Sequence, residues 1–300
     1  MPRVLAIVGP TAAGKSALAV AMAEHLGGEV VSVDSMQVYR GMDIGTAKLP
    51  LAQRRGVPHH LLDLVDVTAP ATVAEFQSWA RVAIAGCHHR GTVPVLVGGS
   101  ALYIRAVLDR FDFPGTDEGL RERLEADLAS VGATALHRRL AAADPQSAAR
   151  ILPTNGRRIV RALEVVTLTG RPFTAALPPY EYAFPDVVQL GIDVPRDALD
   201  ERIASRVDAM WTAGLIDEVR RLEAVGLRRG RTACRALGYA QVLRHLAGEC
   251  SAEQAKADTV RATTRFARRQ DSWFRKDPRI TWLPYDASDL FERALGLVRR

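Results

Sequence analysis

The sequence lacks any long hydrophobic run. No stretch of about 18 or more apolar residues is present, which is the length that a membrane-spanning helix needs. The chain passes from Met1-Pro2-Arg3 directly into the short segment VLAIVG, which is too brief for the apolar region of a signal peptide. We therefore expect a cytoplasmic protein with no membrane association. At 300 residues and 48% hydrophobic content, the chain is long enough for one large domain or two moderate ones.

Cysteine is also scarce. The three cysteines, Cys87, Cys234 and Cys250, stand singly, without a Cys-x-x-Cys pair and without a histidine at zinc-site spacing. Scattered thiols of this kind are typical of a reducing compartment. We expect no structural metal. Internal repeats and low-complexity tracts are not visible either.

Positive charge is in modest excess but is concentrated late in the chain. The net charge is +6 and the pI is near 9.5. The segments 227–235 and 260–279 are rich in arginine, and the second interleaves Phe266, Trp273 and Phe274 with its arginines. Solvated helix faces would explain the charge alone. The aromatic residues favour nucleic acid, because proteins that hold strands combine backbone neutralisation with stacking surfaces.

Short, apolar and β-branched runs alternate with helical stretches in the first third of the chain. The runs are 3–8, 29–34 and 93–97, and the helical stretches are 15–26 and 72–90. This alternation predicts βαβ units and a buried parallel sheet flanked by helices. The fold class is therefore α/β.

From 112 to 178 the apolar positions recur at helical spacing and no strand pattern is present. We predict that 112–178 is an all-helical insertion domain in a P-loop-type core formed by 1–111 and 179–300, with a helical C-terminal part. The remaining predicted elements are a strand at 186–194, helices at 100–109, 197–213, 215–225, 235–247 and 252–275, and an edge strand at 280–284.

The segment GPTAAGKS, residues 9–16, lies between an apolar strand and a helix. This is the context of a phosphate-binding loop, in which glycines let backbone N–H groups close around two adjacent phosphates at a helix N-terminus. Lys15 adds a cation, and Ser16 offers a hydroxyl ligand to Mg²⁺. Loops of this kind are typical of ATP- and other nucleotide-binding enzymes, but the motif does not say what the phosphates are attached to.

Two further features stand at the ends of the second and third predicted strands. Asp34 closes the second predicted strand and should face the same crevice, where its carboxylate would accept a proton from a nucleophile that attacks there. The alternative for Asp34 is a turn cap formed with Ser35. Where an ATPase usually has an Asp that holds Mg²⁺ after a later strand, this chain has Gly98-Gly99-Ser100. That substitution counts against nucleotide hydrolysis and would let a flat base approach the backbone closely.

Seven segments together resemble the tRNA dimethylallyltransferases, also called tRNA isopentenyltransferases. In chain order they are GPTAAGKS, DSMQVYRGMDIGTAK, PHHLLDL, VGGSALYIRAVL, RRIVRALEV, CRALGY and ATTRFARRQDSWFR, spread over roughly residues 4–284. The second segment is very specific to this family and its adenylate-prenylating relatives, whereas the phosphate loop alone is not. No Cys/His extension follows at the C-terminus, so the chain resembles the bacterial form.

The resemblance implies transfer of a dimethylallyl group from dimethylallyl diphosphate to N6 of the adenine immediately 3′ of the anticodon of a tRNA, with Mg²⁺ as helper. It implies that Asp34 accepts the N6 proton, that Arg206 steadies the diphosphate and that Ser100 stands against the target base. The residues that match the diphosphate site are Gly9, Pro10, Thr11, Ala12, Ala13, Gly14, Lys15 and Ser16, with Thr11 contributing its hydroxyl. The residues that match contacts with the tRNA anticodon stem-loop are Asp34, Ser35, Met36, Gln37, Ser100, Arg121, Arg157, Arg158, Ile159, Val160, Arg161, Arg235, Ala236, Leu237, Gly238, Tyr239 and Ala240.

The chain departs from the family pattern at three places. Ser16 and Ser100 stand where threonine is usual, which keeps a hydroxyl at both positions. Arg265-Phe266 replaces a common Gln-Tyr pair, which would alter the grip on tRNA rather than the reaction.

Alternatives remain beside this hypothesis. One is an ATP-dependent small-molecule or nucleoside kinase in which Asp34 deprotonates a hydroxyl. Another is a nucleic-acid-binding P-loop module without transferase activity. A third is prenyl transfer to free AMP or ADP, against which the basic helices after residue 227 argue. For Arg157, Arg158 and Arg161 a solvated helix face is the alternative to a tRNA contact. We expect a monomer.

Overall fold

The structure is a computed structural model that describes residues 3–111, 113–173 and 178–299. The strands of the described chain are β1 (Val4–Val8), β2 (Glu29–Ser32), β3 (His59–His60), β4 (Pro94–Gly98), β5 (Val187–Asp193) and β6 (Ile280–Pro284). They form one parallel sheet in the order β3-β2-β4-β1-β5-β6. The predicted α/β class with a parallel sheet is confirmed.

Helices connect these strands. They are α1 (Lys15–Leu26), α2 (Val73–His89), α3 (Ala101–Leu108), α4 (Glu118–Ala143), α5 (Pro145–Arg150), α6 (Gly156–Thr169), α7 (Arg196–Thr212), α8 (Leu215–Ala224), α9 (Tyr239–Leu246), α10 (Ala252–Phe274) and α11 (Leu290–Val298). Short 3₁₀ turns lie at Leu51–Arg54, Leu227–Arg229 and Ala233–Arg235.

Strand β1 lies inside the sheet, and its five residues are all buried. Because successive side chains of a strand point to opposite faces, Val4, Ala6 and Val8 pack into one hydrophobic cluster and Leu5 and Ile7 into another. Both faces of the sheet are therefore covered, which explains why the predicted strands read as continuous apolar runs rather than as alternating patterns.

The sequence missed or misplaced four elements. Strand β3 is only two residues long, His59–His60, and so carries no apolar pattern. Strand β2 ends at Ser32, two residues before Asp34. The predicted helix 235–247 begins only at Tyr239, because Gly238 has a φ of 85° that a right-handed helix does not admit. Helix α11 was not predicted, although its buried positions do recur at helical spacing.

The contacts divide the chain into two compact units. One unit comprises Met1–Asp109 and Tyr182–Arg300, and it contains the sheet. The other comprises Arg110–Glu181 and is helical in its described residues. The second unit has its own core of buried apolar side chains from α4, α5 and α6. Within α4, Gly132 takes a φ of 79° and ψ of 165°, so the element is two helices joined at a kink.

None of the helices in the described residues combines the length and the hydropathy that crossing a membrane requires.

Candidate active site

The phosphate-loop motif forms the turn between β1 and α1. Gly9 has a φ of 136°, and a Cβ atom there would lie 3.2 Å from the backbone oxygen of Ile192 on β5. Gly14 has a φ of 99° and caps the N-terminus of α1. Both positions need glycine, because an L side chain rarely adopts these backbone angles. The loop residues Gly9 to Ser16 therefore stand at the carboxyl edge of the sheet and the N-terminus of a helix, the arrangement that binds phosphate anions.

Three charged side chains act on one another beside this loop. Burial, with the nearby Arg206 guanidinium, lowers the pKa of the Lys15 ammonium to about 7, and the Asp34 carboxylate opposes that shift. Burial also lowers the pKa of Arg206, again opposed by Asp34. The Lys15 ammonium donates a hydrogen bond to the backbone oxygen of Pro10, 2.6 Å away. Two partly buried cations thus face one carboxylate, and an added anion such as diphosphate would relieve their mutual repulsion.

Helix α7 supplies a second arginine that the sequence analysis did not single out. The Nε–H of Arg202 donates to the backbone oxygen of Ala12 in the phosphate loop, 2.7 Å away. Arg202 lies four residues before Arg206, so both project from the same face of α7. The i, i+4 spacing from Arg206 marks Arg202 as a candidate, whereas its contact with Ala12, 190 residues away, is not encoded locally.

Asp34 lies in the turn that follows β2. Its Oδ1 accepts a hydrogen bond from the backbone N–H of Met36 at 2.8 Å. Nearby, burial raises the pKa of the Tyr103 phenol to about 12; the negative charge of Asp34 contributes, whereas a hydrogen bond to Ser35 opposes the shift. Asp34 therefore stabilises its own turn through one oxygen, which is the structural alternative foreseen from the sequence, with Met36 rather than Ser35 as the partner.

The Gly98-Gly99-Ser100 segment begins at the last residue of β4, which lies between β1 and β2 in the sheet. A Cβ atom on Gly98 would lie 2.4 Å from the backbone oxygen of Val33, and one on Gly99 would lie 2.5 Å from the side-chain nitrogen of Gln270. Only glycine fits at either position without a shift. The segment ends at Ser100, the residue that precedes α3.

The hydroxyl of Ser16 is placed to serve as a ligand of Mg²⁺. Ser16 lies in the first turn of α1 and lines a cavity with Ser32, Gln37 and His59. Mg²⁺ prefers oxygen ligands and keeps several waters, so one hydroxyl beside a diphosphate is a suitable donor set. The residues present therefore fit the ion.

A second group of side chains of metal-ligating types lies elsewhere, with Glu29 on β2, His60 on β3 and Cys87 on α2. The Glu29 carboxylate already accepts from Arg90 at 2.7 and 2.8 Å, from Thr92 at 2.8 Å, and contacts the His60 ring at 2.6 Å. The Arg90 hydrogen bond, with help from His60 and Thr92, lowers the pKa of Glu29 to about 2 against the opposing effect of burial. This group is an ion-pair network that fixes the first residue of β2.

The tRNA-matching segments of the sheet-containing unit differ in exposure. Ser35, Met36, Gln37, Ser100, Leu237 and Ala240 are partly exposed, as is Asp34, and Arg235 is exposed. Ala236, Gly238 and Tyr239 are buried. The side chain of Tyr239 therefore supports its segment from inside the protein rather than facing solvent.

The other tRNA-matching residues belong to the helical unit. Arg157 and Arg158 are exposed on α6, whereas Ile159 and Val160 are buried in the core of the unit. Arg121 and Arg161 both form ion pairs with Glu164, whose side chain is fully buried. These two arginines are therefore already engaged by a buried acid, a pairing that the sequence analysis missed.

The loop between β1 and α1, the parallel sheet and the cations beside the loop define the class of α/β proteins with a P-loop-type fold. The family models narrow this class. One described as IPP transferase matches residues 37–277, and one described as Isopentenyl transferase matches residues 2–63. The chain belongs to the IPP transferase family, which confirms the resemblance carried by its sequence motifs.

Curated relatives match this sequence over nearly the whole chain. The tRNA dimethylallyltransferase of Nocardioides sp. is 63% identical over 295 residues, which is 98% of this chain and 95% of that protein. The tRNA dimethylallyltransferase of Thermobifida fusca is 64% identical over 303 residues, which is 99% of this chain and 95% of that protein.

Solved structures also resemble the chain. The full-length tRNA isopentenylpyrophosphate transferase of Bacillus halodurans superposes with a TM-score of 0.72 at 41% identity, covering 100% of this chain and 95% of that one. A eukaryotic dimethylallyltransferase described as acting on tRNA superposes with a TM-score of 0.84 at 25% identity, covering 100% of this chain and 79% of that one.

Proposed function

We propose that this protein transfers a dimethylallyl group from dimethylallyl diphosphate to N6 of the adenine immediately 3′ of the anticodon in tRNA and releases diphosphate. The observation that carries the proposal is the meeting of Lys15, Arg206 and Asp34 beside the phosphate loop. Membership of the IPP transferase family supports the choice of an isoprenoid group on the diphosphate.

The chemistry needs cations at the leaving group. The exocyclic amine of adenine is a poor nucleophile, so the reaction depends on departure of diphosphate from an allylic carbon that tolerates positive charge. As the bond between that carbon and the diphosphate oxygen breaks, the electron pair goes to the diphosphate, where Lys15 and Arg206 stabilise the added charge. The new bond forms between the same carbon and N6.

The N6 atom must then lose a proton, and we assign its acceptance to Asp34. Because Oδ1 of Asp34 accepts the Met36 amide, Oδ2 is the atom that we assign to the proton. Asp34 follows β2, the phosphate loop follows β1, and both lie at the carboxyl edge of one parallel sheet. A general base placed at that edge is close to the breaking bond.

We further propose that Ser16 holds Mg²⁺ when the donor is bound. The ion would add positive charge at the diphosphate as it leaves. The hydroxyl of the partly exposed residue Ser16 and the oxygens of the donor are the ligands that suit this ion.

The adenine must leave its stack to reach a donor in this crevice, which costs a few kcal/mol. The exposed cations Arg157, Arg158 and Arg235, with the arginines of α10, supply the contacts with the anticodon stem-loop that offset that cost. We propose that the enzyme acts as a monomer, and because its substrate is tRNA, in the cytoplasm.

The proposal is tested by incubating the protein with radiolabelled dimethylallyl diphosphate, Mg²⁺ and an unmodified tRNA that has adenine 3′ of the anticodon. We expect label to enter the RNA with no ATP present. A matched tRNA with guanine at that position should stay unlabelled. If no label enters the adenine-bearing tRNA, and the protein instead phosphorylates a nucleoside from ATP, the proposed function is wrong. Labelling of free AMP or ADP, with the tRNA unlabelled, would identify a different acceptor.

A further inference from the structure

Glu218, on α8, is a buried acid with four hydrogen-bond donors around its carboxylate. Its Oε2 accepts from the backbone N–H groups of Asp43 at 3.2 Å and Ile44 at 2.8 Å. Its Oε1 accepts from the backbone N–H of Gly45 at 3.2 Å and from the hydroxyl of Tyr239 at 2.6 Å. The residue is 3% exposed. Neither the sequence motifs nor the diphosphate chemistry accounts for this arrangement.

The arrangement is built to hold a negative charge. Successive backbone N–H groups that converge on one point form an anion-binding concavity, and a buried carboxylate is tolerated only where such donors satisfy it. Burial and the Glu218 charge raise the pKa of the Tyr239 phenol, so Tyr239 remains a hydrogen-bond donor at neutral pH. A Cβ atom on Gly45 would lie 2.4 Å from the Tyr239 ring, so the ring packs directly on the Gly45 backbone.

A chain of hydrogen bonds runs from this anchor to the candidate active site. The backbone oxygen of Thr46, the residue after Gly45, accepts from Nε2 of Gln37 at 3.1 Å. The Oε1 of Gln37 accepts from the hydroxyl of Ser32 at 2.7 Å, at the end of β2. Met36, next to Gln37, donates its backbone N–H to Asp34. The segment 34–46 is therefore tied to β2 at one end and to Glu218 at the other.

The same carboxylate also ties down a second segment. Tyr239 begins α9 and belongs to 235–240, one of the segments that match tRNA contacts. Glu218 is thus the point at which the segment that carries Asp34 and the segment 235–240 meet inside the protein.

We propose that Glu218 is a positioning residue for the prenyl-transfer reaction. It holds the segment 34–46, and through it the Asp34 carboxylate, in a fixed place relative to 235–240. It does not contact the donor or the adenine. This inference rests on the proposed function, in which the segment 34–46 carries the proton acceptor Asp34.

The test compares Glu218→Gln with a matched control, Asp217→Asn, at the neighbouring exposed position of α8. An amide at 218 replaces an acceptor oxygen by a donor that faces the backbone N–H groups.

We expect the amides of Asp43, Ile44 and Gly45 to exchange hydrogen about 10- to 100-fold faster in Glu218→Gln, the effect of losing charge-assisted hydrogen bonds. We expect kcat to fall at least tenfold and the KM for tRNA to rise. The Kd for inorganic diphosphate should stay within about twofold, because other elements hold the phosphate loop. Asp217→Asn should change none of these quantities.

A folded Glu218→Gln variant that loses diphosphate affinity together with turnover would overturn the proposal. So would a folded Glu218→Gln variant with wild-type kcat. If Glu218→Gln does not fold, Tyr239→Phe removes one donor and leaves three; we then expect a several-fold fall in kcat with diphosphate affinity unchanged, and wild-type kcat would overturn the proposal. If the wild-type protein itself transfers no label to tRNA, the proposed function fails. Unchanged hydrogen exchange at the amides of residues 43–45 in Glu218→Gln would show instead that Glu218 does not hold this segment.

Discussion

The side chain of Gln270 on α10 accepts a hydrogen bond from the backbone N–H of Thr11 in the phosphate loop, with Oε1 and N 2.9 Å apart. Gln270 is 8% exposed, and its amide nitrogen lies against Gly99. The long basic helix is therefore bonded to the loop that we assign to the donor diphosphate. The Thr11 amide is therefore already paired within the protein.

Replacing Gln270 by Ala should loosen the phosphate loop. The Thr11 amide would lose its partner, and a lost neutral hydrogen bond is worth about 0.5–1.5 kcal/mol. We expect the affinity for inorganic diphosphate to fall about 2- to 10-fold, measured by calorimetry. Gln254→Ala, on the exposed first turn of the same helix, is the control and should leave the affinity unchanged. Equal affinities in both variants would show that the contact does not support the loop.

Two variants distinguish the general-base role of Asp34 from its role as the acceptor of the Met36 amide. Asn at position 34 keeps an oxygen that accepts the Met36 amide but removes the basic carboxylate, whereas Ala removes both. If Asp34 is the general base, both variants should lose about 10²-fold or more in kcat, the usual scale for such a group. Donor and tRNA binding should be largely intact in Asp34→Asn. Near-normal turnover in Asp34→Asn, with a loss only in Asp34→Ala, would assign Asp34 to the turn alone.

The lowered pKa of Lys15 predicts that donor binding depends on pH. With its pKa lowered to about 7 by burial and by Arg206, the free ammonium begins to lose its proton as the pH rises through 7. A bound anion favours the charged form and raises that pKa again. Above pH 7, diphosphate binding should therefore take up as much as about one proton per site. The measurement is calorimetry in two buffers of different ionisation enthalpy.

The control for that experiment is Lys15→Arg, because a guanidinium stays charged throughout this range. It should show less proton uptake at pH 8 than the wild type. Lys15→Ala should bind diphosphate about 10- to 100-fold more weakly, the value of a charge-assisted hydrogen bond. Unchanged diphosphate affinity in Lys15→Ala would contradict the loop assignment.

The arginines of α6 should divide into two kinds. Arg161 donates to Glu164 at 2.7 Å and to the backbone oxygen of Pro114 at 2.7 Å, so Arg161→Ala leaves a buried acid with fewer partners. We expect a loss of about 1–3 kcal/mol in the free energy of unfolding. Arg157 is exposed, so Arg157→Ala should leave stability within about 0.5 kcal/mol. It should weaken tRNA binding and reduce the salt dependence of that binding by about one phosphate contact. Urea unfolding and tRNA titration measure the two quantities. A loss of stability in Arg157→Ala, with weaker tRNA binding and unchanged stability in Arg161→Ala, would contradict these assignments.

Glu29 predicts a specific loss of stability in acid. Its pKa is lowered to about 2 in the folded protein, chiefly by Arg90, from an ordinary 4.5. A lowered carboxyl pKa stabilises the folded state above 4.5, and that contribution is lost as the pH falls from 4.5 toward 2. Since Arg90 is half exposed, we expect about 2 kcal/mol. Glu29→Gln should be less stable than the wild type at pH 7 and should lose less stability between pH 5 and 3, as urea unfolding would measure. The exposed Glu24→Gln is the control, and a parallel loss in Glu29→Gln and the wild type would contradict the account.

The fold around the loop was readable from the sequence because its signals are local. The strands β1, β2 and β4 are short apolar runs, and the Gly9 to Ser16 motif falls between a strand and a helix. Asp34 was found because it closes the second predicted run, 29–34. Each of these features is encoded within a few neighbouring residues.

The contacts that complete the site were not readable, since they join distant parts of the chain. Gln270 lies 259 residues from Thr11, and Arg202 lies 190 residues from Ala12. No local periodicity encodes such pairs. Glu218 is different, because an acid flanked by the buried positions of an amphipathic helix was itself a signal.

The most direct test of the account is mass spectrometry of the nucleosides from tRNA incubated with the protein and dimethylallyl diphosphate as the sole donor. We predict that the adenosine 3′ of the anticodon gains the mass of one dimethylallyl group at N6. The Asp34→Asn variant should yield about 10²-fold less of this nucleoside in the same time. Unmodified adenosine after incubation with the folded wild-type protein, or the same yield from Asp34→Asn, would contradict the account.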